Sequence, residues 1–224
     1  MEPKNVNVDF LREVFEKDYV IVFIGQSACG KETQSKALMR IIKQVSPGKE
    51  IFFSETGGLY RKEIPFFSKY NKNILDSVQS AGKLQNWITT SALWAHNFMY
   101  NYNGGVIIVD GSPRNVDEAK AFVDFYHGHA GKEIIVFFIG ISDIEARERM
   151  ILRNRNLELC GKEPRNDSDT PEKRKTKLEY FHTDVKPALE YLKKAKGVHF
   201  NKLAGKGKID FVTNRILQIL QNYH

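Results

Sequence analysis

Five short runs of apolar, often β-branched residues are spread along the chain, with helix-like polar and apolar spacing between them. An apolar run without polar alternation is typical of a strand buried on both faces of a parallel sheet. The alternation of strand and helix predicts an α/β fold with helices on both faces of that sheet. We expect core strands near residues 19 to 25, 50 to 53, 105 to 110, 133 to 139 and 197 to 200.

The first apolar run breaks at Gly25, and an amphipathic helix begins beyond Gly30 and Lys31. These three residues have the Walker A spacing, in which backbone N–H groups and a helix N-terminus face an anion while the lysine reaches the outer phosphates. Glu32 follows the lysine and Thr33 comes one place later, so the strict ending in Ser or Thr is not met. The segment predicts a nucleotide site, with an ordinary strand, turn and helix as the alternative.

A second chemical segment follows a later strand. The run GGVIIVDGSPR, from Gly104 to Arg114, ends in an acid, Asp110, and then in a turn that carries Arg114. Ligands of open parallel sheets bind outside the carboxyl ends of the strands. Both segments should therefore deliver their polar residues to one crevice.

Both segments resemble the adenylate kinase family. In GQSACGKETQ a threonine and a glutamine stand two and three positions beyond the lysine, as in that family, and DGSPR matches four of the five positions of its Asp-Gly-aromatic-Pro-Arg motif. Thr56 with Gly57 and Arg61 resembles the family's monophosphate-site helix, and residues 81 to 84 resemble its small glycine-leucine element. The resemblance covers about residues 19 to 220.

Two arginines enter a polar stretch that resembles the family's lid. Arg149 and Arg153 are four residues apart on a predicted helix that Ser142 and Glu145 open as a capping box, so they project from one face. The run from Arg165 to Asp169 resembles the lid's arginine and paired aspartates, with one residue too many between them. A long amphipathic helix is then predicted by Leu178, Phe181, Val185, Leu189 and Leu192.

The resemblance implies a P-loop NTPase-like three-layer fold, with a five-stranded parallel sheet, helices on both faces and two mobile insertions. Residues 1–54, 85–153 and 172–224 would form the core. Residues 55–84 would be the monophosphate-binding insertion, and 154–171 a short lid over the triphosphate. Closure of such insertions excludes water from a transferable phosphoryl group.

The implied activity is that of a nucleoside monophosphate kinase, a phosphotransferase that converts ATP with Mg²⁺ and AMP to two ADP. Catalysis would consist mainly of alignment and charge neutralisation, because the acceptor oxygen is already nucleophilic. Asp110 would orient the waters of the magnesium ion. The resemblance assigns the catalytic roles to Lys31, Arg114, Arg153, Arg165 and Lys177.

The same resemblance divides the binding residues between donor and acceptor. ATP binding falls to Ser27, Ala28, Cys29, Gly30, Lys31, Glu32, Thr33, Arg149 and Gly207, with Arg149 stacked on the donor base. Monophosphate binding falls to Thr56, Arg61, Leu84, Gly111, Arg114 and Glu118.

Several positions depart from the family pattern. Glycines of the family pattern are replaced by Ala28 and Glu32, and an aspartate is replaced by Gly58. We expect Glu32 to point outward, toward a lysine. Lys177, with Arg174 one turn earlier, stands near a family arginine. Such changes also fit a nucleotide-binding protein with impaired transfer.

The identity of the acceptor base stays open. Glu118 replaces a base-reading glutamine, and an ionised carboxylate can only accept hydrogen bonds. It could accept from the amino group of adenine or from that of cytosine. Thr56 and the overall order of the motifs favour AMP as the acceptor, and a CMP/UMP-type kinase is the alternative.

Composition limits the kinds of metal site, location and binding partner that the chain can have. The two cysteines, Cys29 and Cys160, are too few for a cysteine-built zinc lid. No run of eighteen apolar residues, cleavable signal or transit peptide is evident, so we expect a cytoplasmic protein without membrane contact, acting as a monomer. The net charge of +7 fits polyphosphate substrates, whereas a nucleic-acid-binding module would need a basic tail or stacking platform.

Overall fold

The computed structural model describes residues 6–17, 19–63 and 69–223. The strands are β1 (Val20–Gly25), β2 (Ile51–Glu55), β3 (Val106–Asp110), β4 (Ile134–Gly140) and β5 (Val198–Ala204). The helices are α1 (Val8–Glu16), α2 (Lys31–Val45), α3 (Thr56–Glu63), α4 (Lys69–Ser80), α5 (Trp87–Asn101), α6 (Val116–Val123), α7 (Asp143–Leu159), α8 (Pro171–Tyr180), α9 (Lys186–Leu192) and α10 (Ile209–Leu220). The π-helical segments Asp124–His129 and Phe181–Val185 continue α6 and α8, and a 3₁₀ turn, Gln221–Tyr223, follows α10.

The strands form one sheet in the order β2-β3-β1-β4-β5, and every neighbouring pair is parallel. The predicted α/β fold with five parallel strands is therefore confirmed. Because the strands run in one direction, their carboxyl ends share one edge of the sheet. Register then places Asp110, the last residue of β3, beside Phe23 of β1 and Glu55 of β2.

Alternate residues of the central strands supply two separate cores. Val20, Val22 and Ile24 of β1 face a cluster that includes residues of α5, α6 and α9, whereas Ile21 and Phe23 face residues of α1, α2 and α10. All five of these side chains are almost completely buried. Helices on both faces explain why β1, β3 and most of β4 lack the polar alternation of a half-exposed strand.

The structure extends the sequence predictions in three places. Helix α1, for which no element was predicted, is capped by the Asn7 side chain and buries Leu11, Val14 and Phe15. β5 continues four residues beyond the predicted end, to Ala204. The long amphipathic helix predicted around residues 178 to 192 is present as α8 and α9, with the π-helical segment Phe181–Val185 between them.

The two predicted insertions lie in sequence between these core elements. The first carries α3 and α4, and the second begins inside the C-terminal part of α7 and ends where α8 starts. Within the ranges given above, no helix is long and apolar enough to cross a bilayer.

Candidate active site

A cavity of about 310 Å³ opens beyond the carboxyl ends of β1, β2 and β3. Its described walls carry seven cationic and four acidic side chains, an excess that favours polyanionic ligands. Both motifs found in the sequence reach this cavity. Of the predicted site residues it is lined by Ser27, Ala28, Gly30, Lys31, Glu32, Thr33, Asp110, Gly111, Arg114, Arg149, Arg153, Arg165 and Lys177.

The loop from Gly25 to Lys31 is packed tightly against the sheet. A methyl group added at Gly25 would collide with the carbonyl oxygen of Ile139 and lie 2.7 Å from the Sγ of Cys29. Gly30 precedes α2 with a φ of 104°, a left-handed value that glycine adopts at little cost. The loop therefore turns sharply enough for the N-terminus of α2 to face the cavity.

Lys31 is held by the loop that it follows. Its Nζ donates to the carbonyl oxygens of Gly25 and Gln26, at 2.9 and 2.8 Å. The third donor of its ammonium group points to the Sγ of Cys29 at 3.7 Å, a weak acceptor that a ligand oxygen can replace. The lysine is thus aligned along the wall of the cavity mainly by two backbone carbonyl groups.

Asp110 presents an almost completely buried carboxyl group, 5% exposed, at the end of β3. Burial raises its pKa from 3.8 to about 6, against the opposing effect of Lys31. Ser35 of α2 donates to its Oδ2 at 3.4 Å. This hard oxygen donor beside the loop fits a water-coordinated Mg²⁺, the cation that accompanies nucleotide phosphates.

The turn after β3 holds Arg114 through its own backbone and through Glu118. Arg114 Nε donates to the Gly111 carbonyl, and its backbone N donates to Glu118 Oε2 at 2.8 Å. Ser112 Oγ donates to Glu118 Oε1 at 2.7 Å and lies 2.6 Å from Thr56 Oγ1. Burial raises the pKa of Glu118, and these two hydrogen bonds oppose the shift.

Arg149 ties the loop to the segment that follows β5. Its guanidinium donates to the carbonyl oxygens of Cys29 and Gly205, at 3.3 and 2.7 Å, and pairs with Glu145 at 2.6 Å. Gly207 lies two residues beyond Gly205. The arginine thus stands at the side of the cavity where the phosphate loop meets the chain after β5.

The predicted lid supplies the cations opposite the loop. Arg153 donates to the Oγ of Ser168 at 2.9 Å, and burial, followed by the nearby Arg165, lowers the pKa of Arg153. Lys177 pairs with Asp167 at 2.9 Å. Burial acts to raise the pKa of Asp167, but Lys177, Arg153 and Ser168 together lower it. Arg165 reaches across to Glu32 at 3.1 Å.

Between Arg165 and Asp169 the lid has one residue more than the family pattern. Ser168 is fully buried and receives the Arg153 bond, while Asp167 is the aspartate on the cavity wall. Asp169 pairs with Lys173 at 2.8 Å, and Asp169 does not line the cavity. Arg174 donates to the carbonyls of Ser168 and Asp169, so Lys177 is the cation of that helix on the wall.

Some predicted site residues lie away from the cavity surface. Glu118 is 2% exposed, with both carboxylate oxygens engaged inside the protein. Arg61 belongs to α3, but its side chain is outside the described residues. The others that do not line the cavity are Cys29, Thr56, Leu84 and Gly207.

The cavity also includes polar residues that the motifs did not single out. Tyr60 of α3 and Gln85 line its wall, and burial raises the pKa of Tyr60 to about 12. Burial acts to raise the pKa of the Tyr180 hydroxyl, but Lys177, Arg114 and a hydrogen bond with Ser27 lower it. No general motif marks these positions. Over the same described stretch, no cluster of three or more His, Cys, Asp and Glu residues could hold a metal ion.

Comparison with known proteins gives a consistent set of distant relatives. The chain is 26% identical over 227 residues to an adenylate kinase of Streptomyces coelicolor, covering 90% of this chain and 98% of that protein. It is 23% identical to an adenylate kinase of Rickettsia africae, with coverages of 89% and 99%, and 25% identical to one of Prochlorococcus marinus, with coverages of 77% and 83%. No family model matches the chain.

Proposed function

We propose that this chain, a distant member of the adenylate kinase family, transfers the terminal phosphoryl group of MgATP to AMP and yields two ADP. The observation that carries the proposal is the meeting of a phosphate loop, Asp110, Arg114 and the lid cations around one cavity. The relatives that span nearly the whole chain, each named adenylate kinase, support this donor and acceptor pair.

In this mechanism the loop holds the donor and the turn after β3 holds the acceptor. Lys31 and the amides at the start of α2 bind the outer donor phosphates. Arg114, whose backbone is fixed by Glu118, binds the acceptor phosphate through its guanidinium fork. The two phosphates then face each other within one cavity.

An acceptor phosphate oxygen attacks the terminal phosphorus of the donor, and the bond from that phosphorus to the bridging oxygen breaks. The negative charge that leaves with ADP is neutralised by Lys31, Arg153, Arg165 and Lys177. No proton has to be removed from the nucleophile. Asp110 would help to hold the Mg²⁺ ion that accompanies the donor, and this ion would supply further neutralisation of the phosphate charge.

The decisive experiment is an acceptor panel. Purified protein is mixed with MgATP and AMP, CMP, UMP, GMP or dTMP in turn, and ADP formation is followed with Lys31→Ala as the blank. Turnover that is fastest with AMP supports the proposal. A preference for CMP or UMP would make the chain a pyrimidine monophosphate kinase, and ATP binding without any turnover would make it a nucleotide-binding protein.

A further inference from the structure

Glu32 makes two ionic contacts that lead in opposite directions. Its Oε1 accepts from Lys36 at 2.6 Å, one turn along α2, and its Oε2 accepts from Arg165 of the lid at 3.1 Å. The expected orientation toward a lysine is thus observed, and a contact to the lid is added. The carboxylate therefore bridges the first turn of the helix after the phosphate loop and the lid.

The bridge involves an ionised group. The hydrogen bond from Lys36 lowers the pKa of Glu32, and Arg165 adds to this shift while burial opposes it. Its two partners are an ammonium group and a guanidinium group. The contact with Arg165 is therefore a charge-assisted hydrogen bond.

The other lid contacts described above stay within the lid and its flanking helices. Asn154 exchanges hydrogen bonds with the backbone of Arg165, at 3.4 and 3.5 Å, and Lys177 of α8 pairs with Asp167. Arg165 bonded to Glu32 is instead fixed against α2. Its guanidinium is consequently located relative to the phosphate loop itself.

Glu32 and a phosphoryl group can contact Arg165 at the same time. The guanidinium has five N–H donors, and the observed ion pair is a single contact through one terminal nitrogen. The remaining donors stay available to oxygens in the cavity that Arg165 lines. The carboxylate therefore orients the arginine without consuming it.

We infer that Glu32 is a positioning residue for phosphoryl transfer, which holds Arg165 at the rim of the donor site. The inference rests on the proposed function and adds a role for a residue that no sequence motif required. Glu32 also carries a negative charge close to the donor phosphates, so it favours turnover at some cost in donor affinity. Loss of this charge should therefore slow turnover while it tightens ATP binding, so that kcat and the KM for ATP both fall.

The test compares Glu32→Gln with the matched variant Lys36→Met. We expect Glu32→Gln to lower kcat about tenfold and to lower the KM for ATP, because positioning is lost and repulsion is relieved. Lys36→Met leaves the Arg165 contact in place, so its kcat should stay within about twofold of the starting protein and its KM for ATP should rise. Equal kcat in Glu32→Gln and the starting protein would overturn the inference.

A second comparison asks whether Glu32 acts through Arg165. In an Arg165→Gln background, the further change Glu32→Gln should alter kcat less than about twofold, because contacting residues are not additive. A full tenfold loss in that background would show that Glu32 acts elsewhere. Glu32→Asp, which keeps the charge on a shorter side chain, should recover part of the lost turnover.

Amide hydrogen exchange separates this inference from the proposed function. If the unaltered protein turns over no monophosphate, the proposed function fails, yet the bridge is still measurable. Without added nucleotide, Glu32→Gln should speed exchange in residues 163 to 169, and Lys36→Met should not. Identical exchange in Glu32→Gln and the unaltered protein would overturn the bridge whatever the enzyme activity.

Discussion

The phosphate loop and the predicted lid face each other across the cavity, but they are held in different ways. The loop is fixed by its own backbone: Gly25 packs directly on β4, and Lys31 is bound by two carbonyl oxygens. The lid is fixed mainly by side chains, through the pairs Arg153 to Ser168 and Lys177 to Asp167. Backbone packing does not depend on ionic strength, whereas the partly exposed pair of Arg165 with Glu32 is screened by salt.

The loop and the lid therefore meet different requirements within one site. In the proposed function, a rigid loop would present the donor phosphates in one orientation, and the lid cations would approach and leave with each reaction cycle. Side-chain pairs that exchange with ligand phosphates suit that task. Rigidity therefore belongs to the donor loop, and adjustable charge belongs to the lid.

The largest effect is expected from loss of the loop cation. Lys31→Met should lower kcat/KM by roughly 10³-fold or more, because no other loop side chain can replace its charge at the donor phosphates. Thermal stability should change little, since the methionine stem retains the packing. Lys43→Met, at an exposed position of the same helix, is the control and should keep full activity. Retained activity in Lys31→Met would remove the lysine from the mechanism.

The next effect concerns stability and pH at Asp110. Its folded pKa of about 6 lies above the unfolded value of 3.8, so the folded protein holds the extra proton between these values. Stability should therefore fall as pH rises from about 4 to about 6, by up to about 3 kcal/mol. Asp110→Asn should abolish this fall and raise stability at neutral pH while activity drops.

Denaturant unfolding between pH 4 and 8 measures this directly. Asp76→Asn, at an exposed position of α4, is the matched control and should leave the pH profile unaltered. If the free energy of unfolding depended on pH in the same way in Asp110→Asn and in the unaltered protein, the fall in stability would come from another group.

On the lid side, Arg153→Lys keeps the charge but removes the fork. We expect turnover to fall by roughly 10²-fold, with a much smaller change in ATP affinity, because the contact proposed for Arg153 is to the moving phosphoryl group. Arg155→Lys, two residues later and exposed, should have no effect. Steady-state kinetics and calorimetric ATP binding check both. If only ATP affinity fell and turnover did not, Arg153 would bind the substrate without stabilising the transition state.

The smallest effect sharpens the description of the loop as rigid. Ala28 has a φ of 61°, in the left-handed region where an L-residue costs about 1 kcal/mol more than glycine. Ala28→Gly should therefore stabilise the protein by about 1 kcal/mol in urea unfolding. Ala92→Gly, on the exposed face of α5, should destabilise it by a similar amount. A loss in both would mean that the loop is not strained.

The sequence predicted the sheet well because its central strands are apolar on both faces and the P-loop fixes the start of α2. It missed α1, although Leu11, Val14 and Phe15 of that helix recur at the i, i+3, i+4 spacing of an amphipathic helix. The sequence also could not show which way the Glu118 side chain points. An acidic residue in the first turn of a helix gives the same sequence pattern whether it binds a ligand or its own turn. The Glu32 bridge joins segments 133 residues apart, and no local pattern encodes such a contact.

The alternation of β1 residues between two cores has a consequence for how this sequence can vary. A half-exposed strand accepts polar residues at every second position, but β1 has no position from Val20 to Ile24 that is more than 3% exposed. A saturation library should therefore reject polar residues along that entire stretch. The edge strand β5, where only Leu203 is buried, should accept polar residues at most positions. Tolerated substitutions should therefore be found in β5 and not in β1.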